Sequence, residues 1–226
     1  MKLLGMIAGT LLATASTGAV AAVIVVRSSG PSAGQYPTGK SLADTSRLLL
    51  KGGDTVILLD AKGSRTLKGP GSFPAASNAG KSSATSFAAL VGSSSARRGR
   101  VGAVRPPPQP RQLWQASSDL NETFCFVRPN SILVRRENVA ARAAIVVRDL
   151  ASGKAASVNF EPGVQLQSWP TAVPVSDGGR YRIGTGETVL RQINPGEGFA
   201  DMGSALIRAG CNAQLDVLST TTALAQ

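Results

Sequence analysis

The chain has 226 residues, and none of them is histidine. Histidine is the most frequent general base in enzymes, a common metal ligand, and the side chain that titrates near neutral pH. Its absence excludes imidazole-based zinc and copper sites, and it excludes catalysis by Ser-His and Cys-His pairs. We therefore predict a protein that is not an enzyme and that carries no metal or organic cofactor.

Aromatic and acidic residues are also scarce. Aromatic side chains make up 4% of the chain, which leaves few surfaces for stacking on sugars or bases. Only 13 acidic residues oppose 24 Lys and Arg, so the formal net charge is +11. Such a charge attracts anionic partners. The shortage of aromatics and the export signal described below argue against nucleic acid as that partner.

The chain has only two cysteines, Cys125 and Cys211. In an exported protein an even pair indicates a disulfide, and two buried thiols are the alternative. A disulfide between these cysteines, which are 86 positions apart, would stabilise the fold by roughly 4–5 kcal/mol in the chain-entropy model. No Cys-x-x-Cys pattern occurs, so a redox role is not expected.

The beginning of the chain has the pattern of an export signal. Lys2 is followed by an apolar run over residues 3–12, and Ala19 and Ala21 are the small residues of a cleavage site. This pattern predicts a signal peptide over residues 1–21 and a periplasmic protein. The alternative is an uncleaved inner-membrane anchor over residues 3–26, because that uncharged run is long enough to span a bilayer.

Residues 22–73 predict a small antiparallel β domain, because short apolar runs alternate with turns rich in Gly, Pro and Asp. The predicted strands are Val23–Arg27, Arg47–Lys51, Thr55–Leu59 and Ser64–Lys68. Gly69-Pro70-Gly71 is expected to end this unit. Its apolar residues are few, so we expect contact with another element to stabilise it.

Residues 74–112 have the composition of a basic linker rich in Ser, Ala, Arg and Pro. Its prolines favour an extended polyproline stretch. Four of its arginines are candidate contacts for an anionic partner: Arg97, Arg98, Arg100 and Arg105. The alternative is a solvated linker whose charges contact only water. Phe87, Leu90 and Val91 either form a short docked helix or have no structural role.

Residues 113–226 predict an antiparallel sandwich of about eight short strands. After Asn194-Pro195-Gly196 the periodicity becomes helical, with Met202 and Leu206 on one face and Gly210 at the helix end. A second short helix follows. The fold class is therefore all-β, with a C-terminal helical hairpin that a disulfide would hold on the sandwich.

The first unit resembles a known family. Residues 50–60 (LKGGDTVILLD) and 63–71 (GSRTLKGPG) place Gly-Asp before an apolar strand, glycine before the next strand, and Gly-Pro-Gly after it. This order resembles FecR-like periplasmic domains, and the two-part layout is similar to that of exported alphaproteobacterial proteins. FecR-like domains relay signals to membrane partners, so the resemblance implies an envelope or membrane protein as partner and supplies no catalytic residue.

The second unit resembles immunoglobulin-like sandwiches near Trp169-Pro170 and residues 175–183 (VSDGGRYRI). The resemblance makes Tyr181 the corner tyrosine before strand F. No cysteine lies two residues after Tyr181, so the antibody-type disulfide between the sheets is not expected. The resemblance therefore extends to architecture and not to function.

No catalytic arrangement emerges from the remaining polar residues. A glycosidase needs two carboxylates that are close in space, whereas eight candidates in the second unit are scattered along the sequence. Most of them lie beside Gly, Pro or Arg: Glu122, Glu137, Asp149, Glu161, Asp177, Glu187, Glu197 and Asp201. Trp114, Trp169 and Tyr181 are candidate contact aromatics, although a place in the core is the favoured interpretation for each.

Three functions remain as hypotheses. The first is an accessory protein whose small β domain docks on an envelope or membrane-signalling partner. The second is a basic envelope protein that binds an anionic polysaccharide or lipid surface through the linker. The third, and least supported, is a hydrolase that uses two of the scattered carboxylates. Steep salt dependence would distinguish the second from the first.

Overall fold

The computed structural model describes residues 22–77, Phe87, Leu90 and residues 111–223. The expected signal peptide and Arg97, Arg98, Arg100 and Arg105 lie outside these residues. Val91 also lies outside them. Within the described ranges, no helix is both long enough and apolar enough to cross a membrane.

The first unit contains a four-stranded sheet and a two-stranded ribbon. Its strands are β1 Ala22–Ser29, β2 Ser41–Ala43, β3 Arg47–Leu50, β4 Thr55–Asp60, β5 Gly63–Lys68 and β6 Gly71–Pro74. The sheet has the order β2-β1-β4-β5, β3 pairs with β6, and every pair is antiparallel. The four predicted strands are confirmed. β2 and β6 were missed because they are short and lack a run of apolar residues.

Strand β1 is buried on both faces. Successive side chains of a strand point to opposite sides, so Val23 and Val25 pack against the β3–β6 ribbon, whereas Ile24 and Val26 join a different core. Residues 23–26, the last part of the alternative membrane anchor, are therefore the interior of a sheet. The continuous Val-Ile-Val-Val run reflects a strand covered on both sides.

The second unit is a two-sheet sandwich. Its strands are β7 Gln115–Ser117, β8 Glu122–Phe126, β9 Leu133–Arg135, β10 Ala143–Asp149, β11 Ala155–Phe160, β12 Leu166–Ser168, β13 Arg180–Ile183 and β14 Gly186–Gln192. One sheet has the order β11-β10-β13-β14-β8 and the other β12-β9-β7. Side chains from both sheets, such as Phe124, Val134 and Ile183, share one core. The predicted sandwich is confirmed.

The expectation of a purely antiparallel sandwich was wrong at two strand pairs. β8 runs parallel to β14, and β7 runs parallel to β9. Hairpin turns fix the direction of strands that are neighbours in sequence. No such turn joins β8 to β14, which lie more than 60 positions apart, so local sequence carried no signal for their direction.

Tyr181 forms the predicted corner. Its hydroxyl accepts a hydrogen bond from the Ser176 N–H (3.0 Å) and donates one to the Pro174 carbonyl (2.9 Å). Its ring contacts Trp169 edge to face, with centroids 5.3 Å apart. A side chain at Gly179 would collide with this arrangement, because its Cβ would lie 2.7 Å from the tyrosine ring.

Two helices follow the sandwich, as predicted. Helix α1 spans Phe199–Ala209 and helix α2 spans Asn212–Thr221. Gly210 ends α1 in the left-handed region (φ +75°), which favours glycine because it has no Cβ. Cys211, between the helices, forms a disulfide with Cys125 of β8. This confirms the predicted bond and attaches the helical hairpin to the sandwich.

The helices build a third core that contains both units. Ile24 and Leu59 of the first sheet pack with Met202, Leu206 and the disulfide. Residues from the middle of the chain dock there as well: Phe87 contacts Phe199 edge to face, and the Leu90 carbonyl accepts a hydrogen bond from the Trp114 indole N–H (3.0 Å). The expected contact that stabilises the small β unit is therefore the C-terminal hairpin.

Candidate interaction surface

The described residues contain no cluster suited to a metal ion. A depression of ≈ 410 Å³ is shallow and is lined by Val127, Asp177, Gln192, Ile193 and Asn194. Its carboxylate, Asp177, accepts a hydrogen bond from the Gln192 N–H (2.8 Å) and lies 3.6 Å from Arg191. The depression thus offers a surface notch and no facing pair of carboxylates.

The buried carboxylates of the first unit fasten turns. Asp54 accepts hydrogen bonds from the backbone N–H groups of Ser32 (2.8 Å) and Lys51 (2.5 Å). Burial alone would raise the pKa of Asp54, but the hydrogen bonds from Ser32 and Lys51 outweigh it, so the pKa lies below its ordinary value. Asp60 accepts N–H groups of Lys62, Gly63 and Ser77. Both residues are structural acceptors.

The carboxylates of the second unit are engaged in a similar way. Asp149 holds the β10–β11 turn: a hydrogen bond from the Ser152 hydroxyl, and then one from the Ala151 N–H (2.9 Å), lower its pKa. Glu187 pairs with Arg182 and Arg180; the hydrogen bond from Arg182 is the main cause of its lowered pKa. Glu122 pairs with Arg111.

Two nearly buried arginines also serve the fold. Arg136 donates to the backbone carbonyls of Val164, Ala141 and Glu161 and lies over the Phe160 ring, 5.1 Å from its centroid. Burial lowers the pKa of Arg136. Arg135 donates to Gln115 and Glu137. Neither guanidinium is presented to a partner.

The outer face of the five-stranded sheet has a different character. Alternate residues of β10, β13 and β14 point away from the core, and they place four exposed arginines on one surface: Arg148, Arg180, Arg182 and Arg191. Arg148 lies directly opposite Arg182 in the strand register, and like charges in that position repel one another. Val146 is 42% exposed beside them. We call this surface the arginine face.

The described part of the chain leaves this face exposed. Within it, the disulfide and the helices cover the sheet beside β8, where Cys125 and Val127 join the third core. The two faces of the first sheet are occupied within the chain, one by the β3–β6 ribbon and the other by the helices. In the described part of the chain, the four-stranded sheet of the first unit therefore has no open face, whereas the outer side of the β3–β6 ribbon, with Leu49 67% exposed, and the arginine face of the sandwich are exposed.

The sequence did not predict the arginine face, because its candidate contacts for an anionic partner were arginines of residues 74–112. Its signal was present in β13, whose order Arg-Tyr-Arg-Ile alternates charge with buried apolar residues. The candidate contact aromatics Trp114, Trp169 and Tyr181 are buried in cores, in agreement with the favoured interpretation. They take no part in an exposed surface.

Comparison with family models, curated proteins and solved structures finds no match to this chain. The FecR-like resemblance stays a prediction, carried by the turn residues of positions 50–71.

Proposed function

We propose that this chain is an exported, non-enzymatic interaction protein that docks on a protein partner of the cell envelope through its sandwich. The observation that carries the proposal is the arginine face, an open sheet surface on a scaffold held by three cores and a disulfide. Rigid surfaces of this kind bind partners without paying a large ordering cost.

The buried carboxylates are already hydrogen-bonded within the fold, and this supports a binding role more than it supports hydrolysis. Asp54, Asp60 and Glu122 accept hydrogen bonds from backbone groups or an arginine, and a catalytic acid or base must reach a substrate. The lack of histidine narrows the catalytic options further.

A second candidate is a basic envelope protein that binds an anionic polysaccharide or a lipid surface. The opposed pair Arg148 and Arg182 favours it, because Glu187 offsets only part of the local positive charge. Binding of that kind depends on many weak ionic contacts and weakens steeply with salt. Docking of a protein through a shaped surface depends on salt much less.

Site-specific crosslinking in intact cells tests the proposal. A photo-reactive residue at Val146 reports on the arginine face, and the same residue at Leu49, 67% exposed on β3, is the matched control. We expect one envelope protein to be captured from position 146 and not from position 49, also when irradiation is carried out in high salt. Equal capture from both positions, or capture of glycan or lipid that is lost when irradiation is carried out in high salt, would contradict the proposal.

A further inference from the structure

Strand β11 is an outer edge of the five-stranded sheet, and the described residues leave backbone groups unpaired along it. The Gly184 N–H donates to the Val146 carbonyl (3.0 Å), so Val146 directs its backbone toward β13. Ser157 lies opposite Val146. In an antiparallel pair, two directly opposed residues either bond to each other through N–H and C=O or both direct these groups away from the partner strand. Ser157 and its alternates Ala155 and Asn159 therefore point these groups out of the sheet.

Several other edges in the described part of the molecule are covered by the chain itself. On β8, the Gln214 side chain bonds both the N–H (2.5 Å) and the carbonyl (2.8 Å) of Cys125. On β3, the Tyr36 hydroxyl accepts the Leu49 N–H (3.0 Å). Arg65 binds the carbonyl of Pro74 at the end of β6, and Ser64 of β5 donates to the Thr222 carbonyl.

On β11 the corresponding cover is confined to one end, where the Gln167 side chain donates to the Asn159 carbonyl (3.0 Å). The strand reads Ala-Ala-Ser-Val-Asn-Phe, and it pairs with β10 over six consecutive residues without a bulge. Natural proteins protect open edges with charges, proline or bulges. Residues 155–160 have none of these, so in the described part of the molecule the edge is available to another extended chain.

Charge identifies the kind of chain that fits. Lys154 immediately precedes β11, and Arg148 lies opposite Ala155 on the neighbouring strand, with Arg182 beyond it. Strands lie about 4.8 Å apart, so both Arg148 and Lys154 are within reach of a strand added at this end. Asp149 offsets part of this charge while it holds its turn. A second copy of this chain would also bring a formal net charge of +11, which opposes self-association.

We propose that β11 accepts an extended, acidic segment of a partner protein as a sixth strand, with the carboxylates of that segment beside Arg148 and Lys154. The inference rests on the proposed function and gives its mode of recognition. Main-chain hydrogen bonds to Ala155, Ser157 and Asn159 supply affinity, and the basic end of the edge selects acidic sequences.

The probe is a synthetic peptide of about nine residues that alternates Thr and Val and ends in glutamates, and a version ending in lysines is the control. Fluorescence anisotropy measures binding to the purified full chain. We expect the acidic peptide to bind, the lysine peptide to bind at least about tenfold more weakly, and the amides of β11 to exchange more slowly in the complex.

Two variants test the mode of binding. Ser157→Pro removes an outward N–H and no hydrogen bond of the sheet, so it should weaken binding about tenfold or more, whereas Ser157→Thr should not. Arg148→Glu should remove most of the preference for the acidic peptide at an unchanged melting temperature. It tests the charge requirement even if the proline variant fails to fold.

Binding that Ser157→Pro leaves intact would overturn strand addition, and so would the absence of binding at about 1 mM peptide. A dimer of the chain that Ser157→Pro dissolves would also overturn it, because a second copy would then occupy the edge. These outcomes are distinct from failure of the proposed function. If a partner is captured at Val146 but amide exchange in β11 stays unchanged, the interaction role is kept and only strand addition at β11 is overturned.

Discussion

At the scale of single residues, Asp54 shows how one carboxylate fixes the path of two loops. Its side chain binds the N–H groups of Ser32 and Lys51, and Gly30 passes directly beside it. A Cβ at Gly30 would lie 2.6 Å from the Asp54 Oδ1, and its φ of +102° also favours glycine. Asp54 of the Gly-Asp pair that carries the FecR-like resemblance thus has a structural role, because it holds two loops together through their backbone N–H groups.

The lowered pKa of Asp54 predicts how its contribution changes with pH. Because the folded-state pKa lies below the ordinary value of 3.8, the ionised carboxylate stabilises the fold above pH 3.8, and this stabilisation is lost as the pH falls through the folded-state pKa. Asp54→Asn should lower the melting temperature at pH 7, and the difference from the parent chain should shrink below pH 3.8.

Thermal unfolding followed by circular dichroism between pH 2 and pH 7 measures this effect. Glu197→Gln, at an exposed position, is the control and should shift the melting temperature little at any pH. A deficit of Asp54→Asn that stays constant across the range would show that the ionised form has no special role.

At the scale of elements, side chains complete the hydrogen bonding of strand edges. Gln214 of α2 is the clearest case, because its side chain is buried (1% exposed). Its amide oxygen accepts the Cys125 N–H, and its amide nitrogen donates to the carbonyls of Cys125 and Leu113 (both 2.8 Å). One side chain thereby substitutes for a neighbouring strand. It lies on the buried face of the helix with Leu215 and Leu218.

Gln214→Ala leaves three buried backbone groups without their partner. Each unsatisfied group costs about 1–3 kcal/mol, so we expect the free energy of unfolding to fall by about 3 kcal/mol or more. Urea denaturation measures it, and Gln192→Ala, whose side chain is exposed, should change stability by about 0.5 kcal/mol or less. Equal effects of the two substitutions would contradict the role assigned to Gln214.

The elements also show what the sequence could predict. Strands with an apolar run or an apolar alternation, such as β4 and β13, and helix α1 with its Gly210 end were predicted because their signals are local. Strands β2, β6 and β7 are three or four residues long and each contains at most one large apolar side chain, so neither a run nor an alternation marks them. The edge cover by Gln214 depends on contacts between residues 89 positions apart, and no local pattern specifies such a contact.

The arginine face lies between these cases. The alternation in β13 predicts which side chains point outward, but it does not predict which strands become neighbours. Arg148 and Arg182 are opposite one another only because β10 pairs with β13. The outward direction of each arginine could therefore be predicted from its own strand, whereas their position on one common surface depends on the order of the strands in the sheet.

At the scale of the whole molecule, the C-terminal hairpin is the junction. Its helices contact β1 and β4 of the first unit and are bonded to β8 of the sandwich through Cys125 and Cys211. Arg27 of β1 pairs with Asp216 of α2 (2.5 Å) at the same junction. Two units that the sequence separates by a basic linker thus share a core.

Replacing both cysteines should test the disulfide at this junction. The bond joins residues 86 positions apart, and the chain-entropy model assigns roughly 4–5 kcal/mol to a loop of this length. Cys125→Ser combined with Cys211→Ser should lose about that free energy of unfolding in urea, and dithiothreitol should destabilise the parent chain but not the variant. An unchanged midpoint would show that packing alone holds the hairpin.

The shared core also predicts that a destabilising substitution in one unit lowers the stability of the other. Leu59 of β4 is fully buried against α1, where a Cβ at Gly203 would lie 2.7 Å from its Cδ2. Leu59→Ala removes these contacts and should cost about 2–5 kcal/mol. If the units unfold together, the slowest amides of β10 in the sandwich should exchange about thirtyfold faster or more.

Leu49→Ala is the matched control, because Leu49 is exposed in the same unit, and it should leave exchange in β10 unchanged. Faster exchange confined to β4 and β5 in Leu59→Ala would mean that the first unit opens by itself. Faster exchange in β10 as well would mean that the hairpin transmits stability between the units. In that case a partner bound at β11 would stabilise the first unit too, because any ligand of the folded state stabilises everything that unfolds with its site.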